Sequence, residues 1–242
     1  ISSIGLPVPV LRKIYFDNAR KLLARALPLP VLACRRISSD LVPDGDLRKS
    51  LWQTASPVWL EQNSTDAAAR PELSTRVRAL YSNDYLYLGF ECPFTKLTVF
   101  RPPRSDGKRF NLQQAGASLW DRDVVEAFVA PDPENLRRYA EFEVAPTNER
   151  LDVMVTNLPE KDFDYRSGFQ SAVRVNAKGK VWTCELRIPL SALGQTKPSA
   201  GATWRVNLYR CERANDAYLA WSAPLKGSFH VPERFGILRF IE

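Results

Sequence analysis

Polar and apolar positions alternate along many short segments of the chain from residue 40 onward. In the segment 204–209, for example, Trp204, Val206 and Leu208 alternate with more polar residues. Alternation with a period of two is typical of a β-strand that buries one face. The same pattern, bounded by turn residues, predicts strands at 76–80, 85–92, 124–129, 141–145, 151–156, 171–175, 181–188, 204–212, 217–222 and 236–241. Short strands at this spacing, with few helical signals, predict an all-β domain built as an antiparallel β-sandwich.

The first part of the chain follows a different period. Apolar residues recur at steps of three and four over residues 9–27, with basic residues opposite them, and this spacing predicts an amphipathic helix. Pro28 and Pro30 end that helix, and residues 29–39 are either a linker or a strand that leads into the next domain. We therefore predict two parts, an N-terminal helical extension over residues 1–30 and a β-sandwich over residues 31–242. No apolar run approaches the roughly 18 residues that a membrane-spanning helix needs.

Charge is concentrated near the start of the chain. The formal net charge is +7, of which residues 1–40 contribute +5 through seven lysines and arginines against Asp17 and Asp40. The rest of the chain carries only +2, with both signs interspersed. A nucleic-acid-binding surface needs a basic patch, so this distribution predicts no nucleic-acid partner for the main domain.

The four cysteines indicate neither a metal site nor a disulfide framework. Cys92 and Cys184 share strand faces with apolar residues and are predicted to be small buried hydrophobes. A disulfide between Cys184 and Cys211 remains an alternative, which requires that their strands are neighbours. The chain has one histidine and no Cys-x-x-Cys pair, so the spacing does not suggest zinc. No signal peptide is recognisable, and composition leaves the compartment open.

Two short segments, 119–129 and 229–238, carry the candidate chemistry. Trp120 and Glu126 lie just before and within a predicted strand, and Phe229 and His230 lie in a turn before the last strand. Two aromatic plates with a carboxylate between them can hold a flat, hydroxylated ring, which is the chemistry of sugar recognition. The pattern predicts a site for a mono- or oligosaccharide that needs no catalyst.

Each of these residues also has a purely structural interpretation. Trp120 could cap the edge of the core, and Phe229 could belong to the core itself. Glu126 could form a salt bridge with an arginine such as Arg210, since an unpaired buried charge is costly. His230 could be a hydrogen-bonded turn residue.

Catalytic interpretations fit the sequence less well. Asp121 and Asp123 could join Glu126 as the acid and nucleophile of a glycosidase, but such carboxyls come from opposite sides of a cleft, roughly 5–9.5 Å apart. Three acids within six residues are more typical of loop caps and ligand hydrogen bonds. A Ser-His-Asp triad around His230 lacks a nucleophile-elbow signal. We therefore predict that the domain is not an enzyme.

Several segments together resemble the family 9 carbohydrate-binding modules and their relatives. They follow in order through the chain, at 43–52, 77–81, 84–90, 120–129, 182–190, 206–207, 220–222 and 229–238. The resemblance spans residues 40–242 and implies a jelly-roll β-sandwich that binds sugars without cleaving them, often attached to a larger enzyme. It also favours a secreted or periplasmic location.

The resemblance assigns roles to individual residues. Trp120 and Phe229 occupy the places of two tryptophans that clamp a terminal sugar ring, and the phenyl ring offers less stacking area and no indole N–H. Glu126 matches a ligand-binding carboxylate. Glu143 stands at a family arginine position, which is a reversal of charge. Calcium ions are known in the family, so the resemblance leaves calcium open as a cofactor, without a set of ligands.

A second, shorter resemblance concerns the extension. Residues 13–23 resemble the closing helix of metal-dependent amidohydrolases of the TIM-barrel kind, which implies a fusion to an upstream enzyme domain. Two further functions therefore stay open. One is a ligand-free scaffold domain of such an amidohydrolase. The other is a haem-binding, redox-associated sandwich, for which Met154 and His230 are the available axial ligands.

Overall fold

The computed structural model describes residues 5–26, 28–105 and 109–242. An N-terminal helical segment consists of α1 (Val8–Arg12), a π-helical turn (Lys13–Asp17) and α2 (Asn18–Ala26). Two further short helices are α3 (Ser50–Gln53) and α4 (Leu112–Ala115). The strands are β1 (Val31–Arg36), β2 (Val58–Leu60), β3 (Gln62–Asn63), β4 (Thr75–Tyr81), β5 (Tyr85–Pro93), β6 (Val124–Ala130), β7 (Tyr139–Val144), β8 (Arg150–Asn157), β9 (Glu160–Asp162), β10 (Gln170–Asn176), β11 (Val181–Pro189), β12 (Thr203–Glu212), β13 (Ala217–Ala220) and β14 (Gly236–Ile241).

These strands form one curled, hydrogen-bonded sheet. Its order is β10-β11-β5-β4-β1-β14-β12-β6-β7-β8-β9, with β2, β3 and β13 paired at its sides. Side chains from both ends of this path, such as Phe90 of β5, Trp182 of β11 and Phe142 of β7, belong to one buried cluster. The sheet therefore curls until its two halves pack face to face, and the predicted all-β sandwich is confirmed.

Strand β1 joins the two halves. It pairs in parallel with β14 on one side and with β4 on the other, whereas the other named strand pairs are antiparallel. Leu32 and Cys34 of β1 are fully buried in the shared core. Residues 29–39, left open as a linker or a strand, thus contribute a central strand, since a strand paired on both edges has its backbone groups satisfied on both sides.

The strands predicted from alternation are all present, within two residues at their ends. Trp52 of helix α3 is buried, and so are Trp182 and Trp204 on strands and Trp221 just after β13. The short strands β2, β3 and β9 were missed, because two or three residues are too few to show a period.

The cysteine expectations are partly corrected. Cys92 and Cys184 are buried as predicted. The strands of Cys184 and Cys211 are not neighbours, because β11 pairs with β10 and β5 while β12 pairs with β14, β6 and β13. All four cysteines are free thiols, so no bridge joins Cys184 to Cys211.

The predicted N-terminal helix is present over Val8–Ala26, although residues 1–4 and 27 lie outside the described part of the chain. Its apolar side chains Ile14, Leu22 and Leu23 are exposed. Within the described ranges, no helix combines the length and apolar character needed to cross a bilayer. The division of the chain at residue 30 stays a prediction.

One buried carboxylate fixes the segment that precedes α3. Glu185 of β11 accepts hydrogen bonds from the backbone N–H groups of Asp44 and Gly45, from the Lys49 ammonium and from the indole of Trp52. Gly45 has a positive φ of 79°, and a Cβ at this position would meet Arg174. A side chain would therefore be both strained and obstructed at this turn.

Candidate functional site

The sheet half formed by β12, β6, β7, β8 and β9 has two faces of different composition. In β6 the odd-numbered residues of 125–129 pack in the main core, so Glu126 points away from it. Glu126 lies opposite Glu143 of β7, and Glu141 is two residues before Glu143 on the same strand. Paired residues, and residues two apart on a strand, share a face, so the three carboxylates lie together on the face turned away from the core.

A cavity of about 280 Å³ opens on this face. Its lining residues are Trp120, Glu126, Phe128, Glu141, Lys161, Cys211, Tyr218, Gly227, Phe229 and His230. The structure thus brings Trp120, Glu126, Phe229 and His230 together around one space, although they come from two segments far apart in the sequence. Glu143 is fully buried and is not among the residues that line the cavity.

Trp120 lies in a single 3₁₀ turn, Leu119–Asp121, that leads into β6. A capping box orders this turn, since the Ser118 side chain and the Asp121 carboxylate each accept a hydrogen bond from the other residue's backbone N–H. Trp120 packs at the edge of a small apolar cluster that includes Ala115 and Ala117 of the preceding loop. The indole is half-buried, so it is held in place and still reaches the cavity.

The loop before Trp120, residues 101–117, packs beside it where the structure describes the loop. Residues 106–108 lie outside the described part. The loop contains α4, and Leu112 packs against the same apolar cluster as Trp120.

Phe229 is stacked against Tyr209 of β12. The two ring centroids are 4.1 Å apart and the rings are nearly parallel, at 4°. The Tyr209 hydroxyl also donates a hydrogen bond of 2.8 Å to the carbonyl oxygen of Phe229. These contacts fix the phenyl ring with one face covered, and the half-buried ring lines the cavity opposite that support.

The three carboxylates form a tight, buried group. One oxygen of each of Glu126, Glu141 and Glu143 lies within 4.8 Å of the others, and the exposed fractions of these residues are 3%, 3% and 0%. Burial, followed by the charge of the neighbouring carboxylate Glu141, raises the pKa of Glu126 to about 8. Burial is also the main reason why the pKa values of Glu141 and Glu143 are raised.

The salt bridge considered for Glu126 does not form. Arg210 lies opposite Val125 in the β6–β12 register, on the other face of the sheet. Its guanidinium donates to the carbonyl oxygens of Leu73 and Pro93 and to the Thr75 hydroxyl. Glu126 instead receives a weak hydrogen bond of 3.5 Å from the Cys211 thiol.

His230 is held between two polar side chains. Its Nδ1 lies 2.8 Å from the Tyr139 hydroxyl, and its Nε2 lies 2.6 Å from the Lys161 ammonium. Burial lowers the pKa of His230 to about 4, with a further contribution from the Lys161 charge, so the imidazole is neutral near pH 7. Lys161 can only donate, so Nε2 is the acceptor and Nδ1 carries the proton that is donated to Tyr139.

A family model described as carbohydrate family 9 binding domain-like matches residues 43–242, most of the chain. The chain belongs to this family. The expectation that residues 40–242 form such a domain is confirmed. The shorter resemblance of residues 13–23 to an amidohydrolase helix stays a prediction.

Several solved structures share the fold of this family 9-like domain. A candidate carbohydrate-binding protein from Bacteroides uniformis has a TM-score of 0.68 and 19% identity, covering 88% of this chain and 99% of that chain. A family 9 carbohydrate-binding module from Caldicellulosiruptor kristjanssonii in complex with cellotriose has a TM-score of 0.64 and 14% identity, covering 88% and 94%. A structure of such a module from the same organism in complex with glucose has a TM-score of 0.60 and 14% identity, covering 86% and 95%.

A curated relative is more similar in sequence. It is described as an extracellular protein of Arthroderma benhamiae and is 28% identical over 190 residues, which are 71% of this chain and 81% of the relative.

The family 9-like domain contains cavity residues that sequence reasoning missed. Glu141 and Glu143 flank Phe142 in β7, so the pattern already indicated two carboxylates on one face of that strand. Lys161 lies on the three-residue strand β9, which is too short to show the alternation that would have predicted a strand there. It reaches the cavity because β9 extends the sheet beyond β8.

The two haem ligands considered from the sequence do not meet. Met154 of β8 lies opposite Ala140, and both pack in the main core. His230 lines the cavity on the opposite face of the same sheet half. A single haem therefore cannot be held between these two side chains, because the sheet separates them.

Proposed function

We propose that this domain binds the terminal ring of a mono- or oligosaccharide in the cavity, without cleaving it. The observation that carries this proposal is that two half-buried aromatic rings and a carboxylate, Trp120, Phe229 and Glu126, line one space. Aromatic faces stack on the flat apolar face of a pyranose, and the carboxyl group of Glu126 fixes its orientation through hydroxyl hydrogen bonds. His230 contributes through the network that it forms with Lys161.

The size of the cavity supports a small ligand. Ligand pockets commonly measure roughly 300–1,000 Å³, and this one, at about 280 Å³, is at the lower end. It suits one or two sugar rings better than the middle of a long chain. Structural neighbours in complex with cellotriose and glucose make these two sugars the first ligands to test.

The arrangement of acids supports binding without catalysis. Asp121 caps its 3₁₀ turn, and Asp123 accepts hydrogen bonds from the backbone of Thr98 and Arg213. The remaining acids, Glu126, Glu141 and Glu143, cluster on one side within 4.8 Å of one another. A glycosidase instead places its two carboxyls on opposite sides of the scissile bond.

The location and the context of the domain are part of the same proposal. A relative described as extracellular supports a place outside the cytoplasm, where polysaccharides are found. The helical extension before the domain supports attachment to an enzyme domain, for which the resemblance of residues 13–23 suggests an amidohydrolase. In this arrangement the domain holds the attached enzyme close to its carbohydrate.

The test is isothermal titration calorimetry with glucose and cellotriose, on the wild-type chain and on Trp120→Ala. Loss of the Trp120 ring removes about 0.5–1.5 kcal/mol of binding free energy in addition to the contribution of its buried area. The affinity therefore falls by roughly 2- to 13-fold or more. Trp59→Ala is the matched control, because Trp59 on β2 is 51% exposed and does not line the cavity.

Two results would overturn the proposal. One is that no mono-, oligo- or polysaccharide binds, including on a glycan array. The other is that Trp120→Ala and Trp59→Ala bind sugar equally well, which would place the binding site elsewhere.

A further inference from the structure

The segment that leads to Trp120 concentrates the positive charge of the main domain. Residues 101–122 contain five basic residues against two acidic ones, Asp106 and Asp121, which is a net charge of +3. Residues 41–242 together carry only +2, so the domain outside this segment has a net charge of −1. The positive excess is therefore local, and a local excess of one sign attracts ligands of the opposite charge.

Three of these basic residues surround one pocket. Arg101, Arg104 and Arg122 line a space of about 430 Å³, together with Val99, Phe100 and the two prolines that follow Arg101. No acidic residue of the described chain is among the lining residues. None of the three guanidinium groups forms an ion pair with a carboxylate in the part of the chain that the structure describes. The pocket is therefore positively charged.

The guanidinium groups of Arg104 and Arg122 are held against the ring of Phe100. Each guanidinium carbon is 4.5 Å from the centre of that ring, so the two carbons cannot be farther apart than twice this distance. Phe100 is buried in the apolar cluster at whose edge Trp120 packs. A guanidinium that stacks on an aromatic face keeps the N–H donors in its plane available. The ring thus fixes two cationic groups close together while both can still donate hydrogen bonds.

Hydrogen bonds order the rest of this pocket. The Arg104 guanidinium donates to the carbonyl oxygen of Ala115, and the Arg122 guanidinium donates to that of the preceding residue at 2.8 Å. Beneath the loop, the buried carboxylate of Glu149 accepts hydrogen bonds from the backbone N–H groups of Arg104 and the next residue, at 2.7 and 3.0 Å. A site ordered before the ligand arrives loses less conformational entropy on binding.

We propose that Arg101, Arg104 and Arg122 bind a carboxylate or sulfate group of an acidic saccharide, at a second site beside the cavity. Guanidinium groups donate paired hydrogen bonds to such oxyanions, and a bound anion offsets the mutual repulsion of three positive charges.

The assignment to a saccharide rests on the proposed function. Trp120 lines the cavity and lies in the 3₁₀ turn that Arg122 directly follows. Two residues along the chain separate their Cα atoms by at most about 8 Å. A saccharide whose terminal ring stacks on Trp120 can therefore continue to the arginines.

A polynucleotide is the other anionic polymer to consider. It carries phosphates along its whole length, so a protein that binds it needs a basic stripe or face. This domain has its basic excess in one segment and a slightly negative remainder. A ligand with one or a few anionic groups therefore matches the pocket better.

The first measurement uses an anion without any sugar, so it is independent of the cavity. Sodium sulfate, compared with sodium chloride at equal ionic strength, is titrated into the protein and followed by the ¹H–¹⁵N NMR signals of the arginine side chains. We expect saturable shifts that belong to the pocket arginines. Arg122→Gln removes one of the charges and is expected to weaken sulfate binding at least ~5-fold.

The second measurement places the anionic group on a saccharide. Trigalacturonate is titrated by calorimetry at low salt, and Arg122→Gln is expected to bind it at least ~5-fold more weakly than the wild type. Arg122→Lys keeps the charge without the planar fork and is expected to recover only part of this affinity. Cellotriose has no anionic group, so its affinity is expected to change by less than about 2-fold in Arg122→Gln.

Arg48→Gln is the matched control. The Arg48 side chain is 86% exposed, and this residue lines neither the cavity nor the arginine pocket. We expect the variant to bind sulfate and trigalacturonate as the wild type does.

Three outcomes would overturn the proposal. The first is that folded wild-type protein binds neither sulfate nor trigalacturonate. The second is that Arg104→Gln and Arg122→Gln, shown to be folded by circular dichroism, bind both with wild-type affinity. The third is that a decamer of deoxythymidine binds in an Arg122-dependent manner while trigalacturonate does not bind, which would assign the pocket to nucleic acid.

The two proposals can fail separately. If glucose and cellotriose do not bind while sulfate and trigalacturonate bind through Arg122, the arginine pocket is supported and the neutral-sugar cavity is refuted. If glucose binds through Trp120 while both anions bind independently of the arginines, only the second site is refuted.

Discussion

The buried carboxylate of Glu143 makes the stability of the domain depend on pH. Burial raises its pKa well above the usual value, so the folded chain keeps this proton at pH values where the unfolded chain has released it. The folded state then binds more protons, and the free energy of unfolding falls as pH rises from the unfolded pKa of about 4.3 towards the folded one. Each such proton contributes a slope of about 1.4 kcal/mol per pH unit.

Glu143→Gln removes this titrating group and keeps the side chain's size. We expect the stability of the variant to approach that of the wild type as pH falls towards the unfolded pKa, because the wild-type carboxyl is then increasingly protonated in both states. At higher pH the stability of the variant declines less steeply, so the variant becomes more stable than the wild type as pH rises. Glu126, with a pKa of about 8, is present in both proteins, so the free energy of unfolding still falls with rising pH in each of them.

The assay is urea unfolding followed by tryptophan fluorescence, from about pH 5 to about pH 8, with EDTA present throughout. Glu160→Gln, an exposed acid on β9, is the control and is expected to follow the wild-type curve. If the stability curves of Glu143→Gln and the wild type run parallel across this range, the carboxyl is not protonated in the fold and the reasoning fails.

Two further outcomes follow from the site and the fold. Phe229→Trp enlarges the plate supported by Tyr209 and is expected to tighten sugar binding several-fold by calorimetry; unchanged or weaker binding by a folded variant contradicts a stacking role. Glu185→Ala leaves its buried donors unpaired and should lower the free energy of unfolding by about 3–5 kcal/mol, far more than Glu72→Ala in an exposed ion pair; equal losses would refute this.

The strand faces were predictable because they depend on local alternation. In 124–129, the pattern placed Val125 and Ala127 on one face and Glu126 on the other, and the structure has the same division. The positions of Trp120 and Phe229 beside strands were also readable. Their presence in one cavity rested on the family resemblance, since no local signal relates residues so far apart.

The parts that sequence reasoning missed are those that depend on long-range contacts. The Phe229–Tyr209 stack joins a loop to a central strand, and the His230–Lys161 contact joins that loop to an outer strand. The parallel pairing of β1 with both β4 and β14 also brings together residues from the two ends of the domain. Local periodicity carries no information on which strands become neighbours.

The amino-acid sequence by itself determined which residues alternate, and therefore the strands, their buried faces and the all-β class, because side chains on a strand point to opposite sides in turn. The tertiary structure alone decided that three buried carboxylates from two strands meet, and that Lys161 of a third strand lies near them. Strand register and sheet curvature set those distances, and both arise from packing over the whole domain.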